Sequence, residues 1–221
     1  MRRLFNAIAL AICAAAVGLP TGETRAQTKP FKVGVILPLT GNTAWGGRPA
    51  KIAAELAARE VNAQKLAGDF SVQLTFADGA CEPRTSYAAA DKLINQERVQ
   101  ALIGEWCSSA SVAIAQVAND ARIPYIVQIS TADGIAKNAG PYVFESIMQN
   151  KAIQHRESEI LLKRFKFNSA AILVANNDFG LSFRENVRNT FEKAKIKIAL
   201  DVPQDRHDTN RLREAYLGMG I

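Results

Sequence analysis

The chain reads as an α/β protein made of two doubly wound parallel-sheet lobes, the second of them incomplete. Three observations carry this. Strand-like and helix-like runs alternate with short connections. The first strand is a β-branched apolar run of the kind buried on both faces of a parallel sheet. The alternation restarts after Pro141 and then runs short of strands.

Lys32–Leu37 is that first strand, and Pro38 and Gly41 break it. Residues 50–62 place Ile52, Leu56 and Val61 at helical spacing with polar residues between them, which predicts a helix. Val72–Ala77 alternates as a strand. Residues 86–96 read as a helix with Ala89, Leu93 and Ile94 on one side. A short strand at Val99–Ile103, a helix at Ser111–Asp120 and a strand at Ile123–Ile129, entered through Pro124, complete the first lobe. Residues 142–146 read as a strand at the boundary, giving lobes of 30–145 and 146–221.

The second lobe offers a helix at 154–165, a strand at 170–175, a helix at 179–194, a strand at 197–202 and a helix at 209–219. Two strands are too few for a well-covered sheet. A helix ending near Met219 should lead into another strand, so the chain is expected to be truncated or completed by something else.

Residues 1–26 are expected to be a cleavable export signal. Arg2 and Arg3 form a basic start, Leu4–Leu19 is an apolar run too short for a membrane anchor, Pro20 and Gly22 end it, and Thr24-Arg25-Ala26 fits a small-x-small cleavage site. Cys13 leaves with it, because Ile12 is too large to precede a lipidated cysteine. The net charge of +6 is spread along the chain, with no Lys/Arg block interleaved with aromatics, so nucleic acid is not an expected partner.

Cys81 and Cys107 remain after export. An even count in an oxidising compartment favours a bridge. The competing reading is a metal site, but His155 and His207 are distant and no zinc spacing is matched.

Ligands of open α/β sheets bind beyond the carboxyl ends of the strands. Ser108-Ser109 opens a helix there, where hydroxyls and helix N-terminal N–H groups suit an anion; an ordinary N-cap is the equal alternative. Ser130-Thr131 follows the fourth strand and suits an ammonium, or a turn role beside Asp133-Gly134. Trp45, on a Gly-rich loop, suits a pocket wall or core packing. Asp78, Glu82 and Glu105 lie near the cleft edge, where acids are ordinarily solvated or capping. No G-x-G-x-x-G follows the first strand, and P-loop and nucleophile-elbow patterns are absent.

Taken in order, Val33-Gly-Val-Ile-Leu-Pro-Leu-Thr-Gly41, Ala44-Trp-Gly46, Asp78-Gly-Ala-Cys-Glu-Pro83, Ile103-Gly-Glu-Trp-Cys-Ser-Ser109, Ile123-Pro124 and Asn177-Asp-Phe-Gly180 resemble the branched-chain amino acid binding proteins of ABC transporters, of the leucine/isoleucine/valine type. The resemblance runs from about Phe31 to Asp205. It implies the type I periplasmic binding protein fold, with two Rossmann-like lobes closing on a ligand, and a Cys81–Cys107 disulfide. Ser108 and nearby amides, Ser109 among them, would take the ligand carboxylate. The Ser130 carbonyl and Thr131 hydroxyl would take the ammonium, and Trp45 would pack on the ligand side chain. Phe179 falls where the family often carries Tyr, and Asn150 near a position often Asp. Gln128-Ile129 departs from the usual Pro and small residue.

The implied function is a monomeric periplasmic protein that hands an amino acid, or a related carboxylate or amide, to permease subunits in the inner membrane. It needs neither catalysis, metal nor cofactor. The alternatives are a sensor for amides, urea or aromatic acids, an envelope enzyme for which no nucleophile and base are in view, and a non-functional fragment.

Overall fold

The computed structural model describes residues 28–204; the export segment read at 1–26 and the helix read at 209–219 lie outside the described residues. β1 (Lys29–Leu37) pairs in parallel with β2 (Phe70–Asp78) on one side and β3 (Ala101–Gly104) on the other. β4 (Tyr125–Val127) and β5 (Val143–Glu145) extend the sheet, in the order β2-β1-β3-β4-β5. Strand order reverses at β1. The loops leaving β1 and β3 therefore splay apart at their carboxyl ends, which opens a crevice there.

Four helices link these strands: α1 (Ala44–Ala63), α2 (Pro83–Asn95), α3 (Ser108–Asp120) and the short α4 (Ile135–Ala139). Pro83 opens α2, where its fixed φ and missing N–H are no handicap. One core joins Ile36, Leu102, Tyr125, Val127 and Val143 of the sheet to Leu93 of α2, Ile114 and Ala118 of α3 and Ile135 of α4. Side chains alternate along a strand, so Val35 and Leu37 point to the opposite face, where α1 packs on β1 and β2. Beyond α1 that face is thinly covered: Ile126 is 38% exposed and Phe144 53%.

α1 differs from expectation in two ways. It starts at Ala44 rather than near Ala50, so Trp45 and Gly46-Gly47 lie in its first turn and not in a loop. Both glycines serve close approach. A Cβ on Gly47 would fall 2.1 Å from the Pro38 carbonyl oxygen, and one on Gly46 would fall 2.8 Å from the Trp106 ring. Ile52 and Leu56, the apolar residues whose spacing marks the helix, are 63% and 49% exposed. Toward the sheet α1 presents small residues and Lys51, whose Nζ lies 4.5 Å from the Phe76 ring centre.

Past β5, α5 (Asn150–Arg164), β6 (Ser169–Ala175), α6 (Asp178–Lys193) and β7 (Lys197–Gln204) form the second unit. β6 and β7 make a two-stranded parallel sheet with a register shift at Ala170/Ala171. Ile172, Val187 and Phe191 are its buried core. Asp201 of β7 is paired with Arg184 and Arg188 of α6. α5 starts four residues earlier than its apolar spacing indicates. Its buried side chains are polar, Asn150, Gln154 and Ser158, so hydrophobic periodicity does not report its inner face. Among the described residues no helix is long and apolar enough to cross a membrane.

Candidate functional site

The loops after β2 and β3 meet at the crevice. Cys81 and Cys107 form a disulfide with Cα atoms 5.3 Å apart. Beneath it lies Glu105, which has no exposed surface. Its carboxylate accepts from the N–H groups of Trp106 and Cys107, the latter at 2.8 Å, and from Cys81 N–H at 3.4 Å. One buried acid thus ties together both halves of the bridge, a role that a solvated or capping reading of Glu105 missed. Burial raises its pKa above the usual carboxylate range, against the lowering effect of those N–H donors.

Asp78 behaves oppositely. Burial raises its pKa, but the Thr40 hydroxyl and the N–H groups of Ala80, Leu39 and Thr40 outweigh that and hold it below the usual value. Asp78 thereby pins the loop after β1 to the loop after β2. Cys81, Glu105 and Cys107 bring three potential ligand atoms within 4.8 Å of one another. With both sulfurs in the disulfide, only the carboxylate could serve a metal, so the trio does not make a metal centre.

Behind this floor, Tyr125 has no exposed surface. Its hydroxyl accepts from Glu105 N–H at 3.2 Å and donates to Ser111 Oγ at 3.1 Å. Ser111 Oγ lies 2.7 Å from Ser130 Oγ, which also donates to the Glu105 carbonyl. Burial pushes the Tyr125 phenol far up, so it stays a neutral donor.

Between the two units lies a cleft of about 1000 Å³, lined by Trp106, Ser108, Ser109 and Thr131 of the first unit and by Asp178 and Phe179 of the second. Two helix N-termini meet across it. Ser109 Oγ, at the start of α3, accepts the N–H of Asp178, the first residue of α6, at 3.1 Å. Asn177 caps α6 by accepting from Gly180 N–H. Helix N-termini carry partial positive charge and unsatisfied N–H donors, so these two starts favour an anion, beside the exposed carboxylates of Glu82 and Asp178. No Lys, Arg or His is among the described residues lining it.

The sequence-nominated residues fall into two groups. Ser108, Ser109, Thr131 and Phe179 line the cleft. Trp45, Ser130 and Asn150 do not. Trp45 is 70% exposed and packs edge-on against Trp106, with ring centres 5.3 Å apart. Ser130 is absorbed in the Tyr125 network. Asn150 is a clasp: its Oδ1 accepts from Thr131 Oγ1 at 2.8 Å, its N–H donates to the Thr131 carbonyl, and its Nδ2 donates to the Phe179 carbonyl. A second clasp centres on Asp133, which accepts from Ser182, Asn186 and the Lys151 N–H. Trp106 was missed as a lining residue, although it stands directly before the Cys-Ser-Ser run. A separate cavity of about 600 Å³ lies between α3, α4 and α6.

Residues 30–211 match a protein family described as periplasmic binding protein. Among curated relatives, the leucine-, isoleucine-, valine-, threonine- and alanine-binding protein of Pseudomonas aeruginosa is 27% identical over 202 residues, covering 90% of this chain and 51% of that protein. The Leu/Ile/Val-binding protein of Escherichia coli K12 is 22% identical over 173 residues, covering 78% and 47%. The chain spans about half the length of the curated relatives it matches. Among solved structures, a leucine-binding protein from Thermotoga maritima superposes with a TM-score of 0.77 at 22% identity, over 86% of this chain and 53% of that one. A solute-binding protein of an ABC transporter from R. palustris, in complex with 4-hydroxybenzoate, gives 0.74 at 22% identity, over 85% and 52%. These likenesses establish the fold.

Proposed function

The chain belongs to the periplasmic binding protein family, and from that premise we propose that it captures a small carboxylate, an amino acid or a related acid, for an ABC importer. The observation that carries this reading is the convergence of the α3 and α6 N-termini on one cleft without a cationic side chain. Such a site holds a single carboxylate by N–H donors and dipoles and leaves the rest of the ligand to the apolar walls.

Residues 30–145 and 146–221 act as two lobes, and residues 1–26 direct export to the periplasm. The ligand enters between the lobes and favours the closed arrangement by its greater affinity for it. The closed form is what the permease subunits in the inner membrane would read. Ser108 and Ser109 serve the carboxylate, Thr131 the adjoining polar group, and Phe179 the wall from the second lobe.

A thermal-shift series on the full chain with its disulfide intact tests this. At 100 times the dissociation constant, a ligand stabilises by about 2.7 kcal/mol, which raises the melting temperature by about 5 to 11 °C for a chain of this size. The rise should shrink in Ser108→Ala and Thr131→Val. A folded protein whose melting temperature no amino acid, amide or aromatic acid moves would contradict the proposal.

A further inference from the structure

We infer that the cleft prefers an arenecarboxylate, a planar aromatic ring bearing a carboxyl group, and that Trp106 sets this preference. The inference rests on the reading of the cleft as a solute site and names the substrate class for it.

Trp106 is held from every side. Its N–H donates to the buried Glu105 carboxylate, and the next residue is fixed in the disulfide. Its ring lies against the backbone of Gly46, where any Cβ would collide at 2.8 to 3.0 Å. The Trp45 ring meets it at 68°. The result is an aromatic wall that does not have to order itself when a ligand arrives, so little rotamer freedom is lost on binding. Two residues on, α3 begins. The first N–H donors of α3 therefore lie within about 7 Å of chain from the Trp106 backbone. A carboxyl carried directly on a ring matches that short span. Phe179, 46% exposed on the far side of the cleft, offers a second aromatic surface. Offset or edge-to-face contact with such walls rewards a flat ring over a branched aliphatic chain.

The polar side of the cleft points the same way. An α-amino acid needs acceptors for its ammonium. The Thr131 carbonyl already accepts Asn150 N–H at 2.6 Å, and its hydroxyl donates to Asn150 Oδ1. The Ser130 side chain is 1% exposed and its hydroxyl is spent on Ser111 and the Glu105 carbonyl. The lining carboxylates, Glu82 and Asp178, are on exposed residues, where water already solvates them. A zwitterion must desolvate its cation toward acceptors that are shared with Asn150 or open to water, a cost that a carboxylate without an ammonium does not meet.

Calorimetric titration of the full, disulfide-bonded chain with benzoate, 4-hydroxybenzoate and L-leucine tests the inference. The arenecarboxylates should bind at least about tenfold more tightly than L-leucine. Trp106→Leu should erase that ratio and Trp106→Phe should keep most of it, a pattern that a purely structural role would not produce. Phe179→Leu provides a second probe should Trp106→Leu not fold, and it should reduce the ratio about threefold. Tighter binding of L-leucine would overturn this inference and leave the solute-capture reading standing, as would a ratio unmoved by either substitution. Binding of none of the three, nor of any compound in the thermal-shift series, by a folded chain would overturn both.

Discussion

In the first unit, five strands form one sheet in which Val35, Ile36, Leu37, Leu102 and Tyr125, on its two faces, have no exposed surface. In the second, two strands rest on Ile172, Val187 and Phe191, each still 4 to 7% exposed. α6 covers one face of β6 and β7. The other face carries Ala171 and Leu173 opposite Leu200 and Val202, and Leu173 is 40% exposed. A parallel sheet is stable when both faces are buried. The comparison therefore assigns different work to the two walls of the cleft. The first unit presents the N-terminus of α3 and the Trp106 indole. The second contributes Asp178 and Phe179 from a scaffold held by polar clasps at Asn150 and Asp133.

Substitutions can widen or collapse this contrast. The largest effect belongs to the first core: Leu102→Ala should destabilise by about 4 kcal/mol, because a side chain with no exposed surface leaves a cavity. Removing both cysteines opens a loop of 26 residues, for about 3.5 kcal/mol on the chain-entropy model. Urea denaturation should show both losses in the first unit's transition. Asn150→Ala should cost about 2 kcal/mol, since it strands the Thr131 hydroxyl as a donor and the Phe179 carbonyl as an acceptor. It should also loosen the second unit, read as faster amide exchange in α5 and α6. Leu173→Ala should change stability by less than about 0.5 kcal/mol. A loss there as large as at Leu102 would mean that the two units are covered alike.

Acid separates the Asp78 and Glu105 carboxylates. The folded pKa of Asp78 is lowered. Its stabilisation is fully present above its unfolded value of about 3.9 and is lost as pH falls through the folded value. Asp78→Asn should therefore lower stability at neutral pH and cost progressively less in acid. Glu105, with a raised folded pKa, has the opposite sign. Its contribution is greatest below about 4.3 and falls as pH rises through the folded value. Denaturation midpoints of Asp78→Asn and the unsubstituted chain, compared across pH, check the first statement; parallel curves would contradict it.

Much of the first unit was legible in the sequence, because its strands are spelled by β-branched runs and its helices by apolar residues at helical spacing. The start of α1 was not. Gly46-Gly47 reads as a loop until the approach of Pro38 and Trp106 shows why small residues are needed in a helix. α4 is five residues long, too short for any periodicity to register. In the site, Ser108 and Ser109 were legible because helix starts and anions share one chemistry. Glu105 was not, since nothing local announces that two backbone segments distant in sequence will fold over one carboxylate. The two tryptophans make the same point: Trp45 had the glycine-rich surroundings, but the fold turns it outward and sets Trp106 in the wall.

The central claim is that one ligand engages both N-termini at once. Hydrogen–deuterium exchange of the full chain, with and without saturating benzoate or L-leucine, measures this directly. The account predicts slower exchange at residues 108–111 and at residues 178–181 together. Protection confined to one of these helix starts, or absent from both, would contradict it.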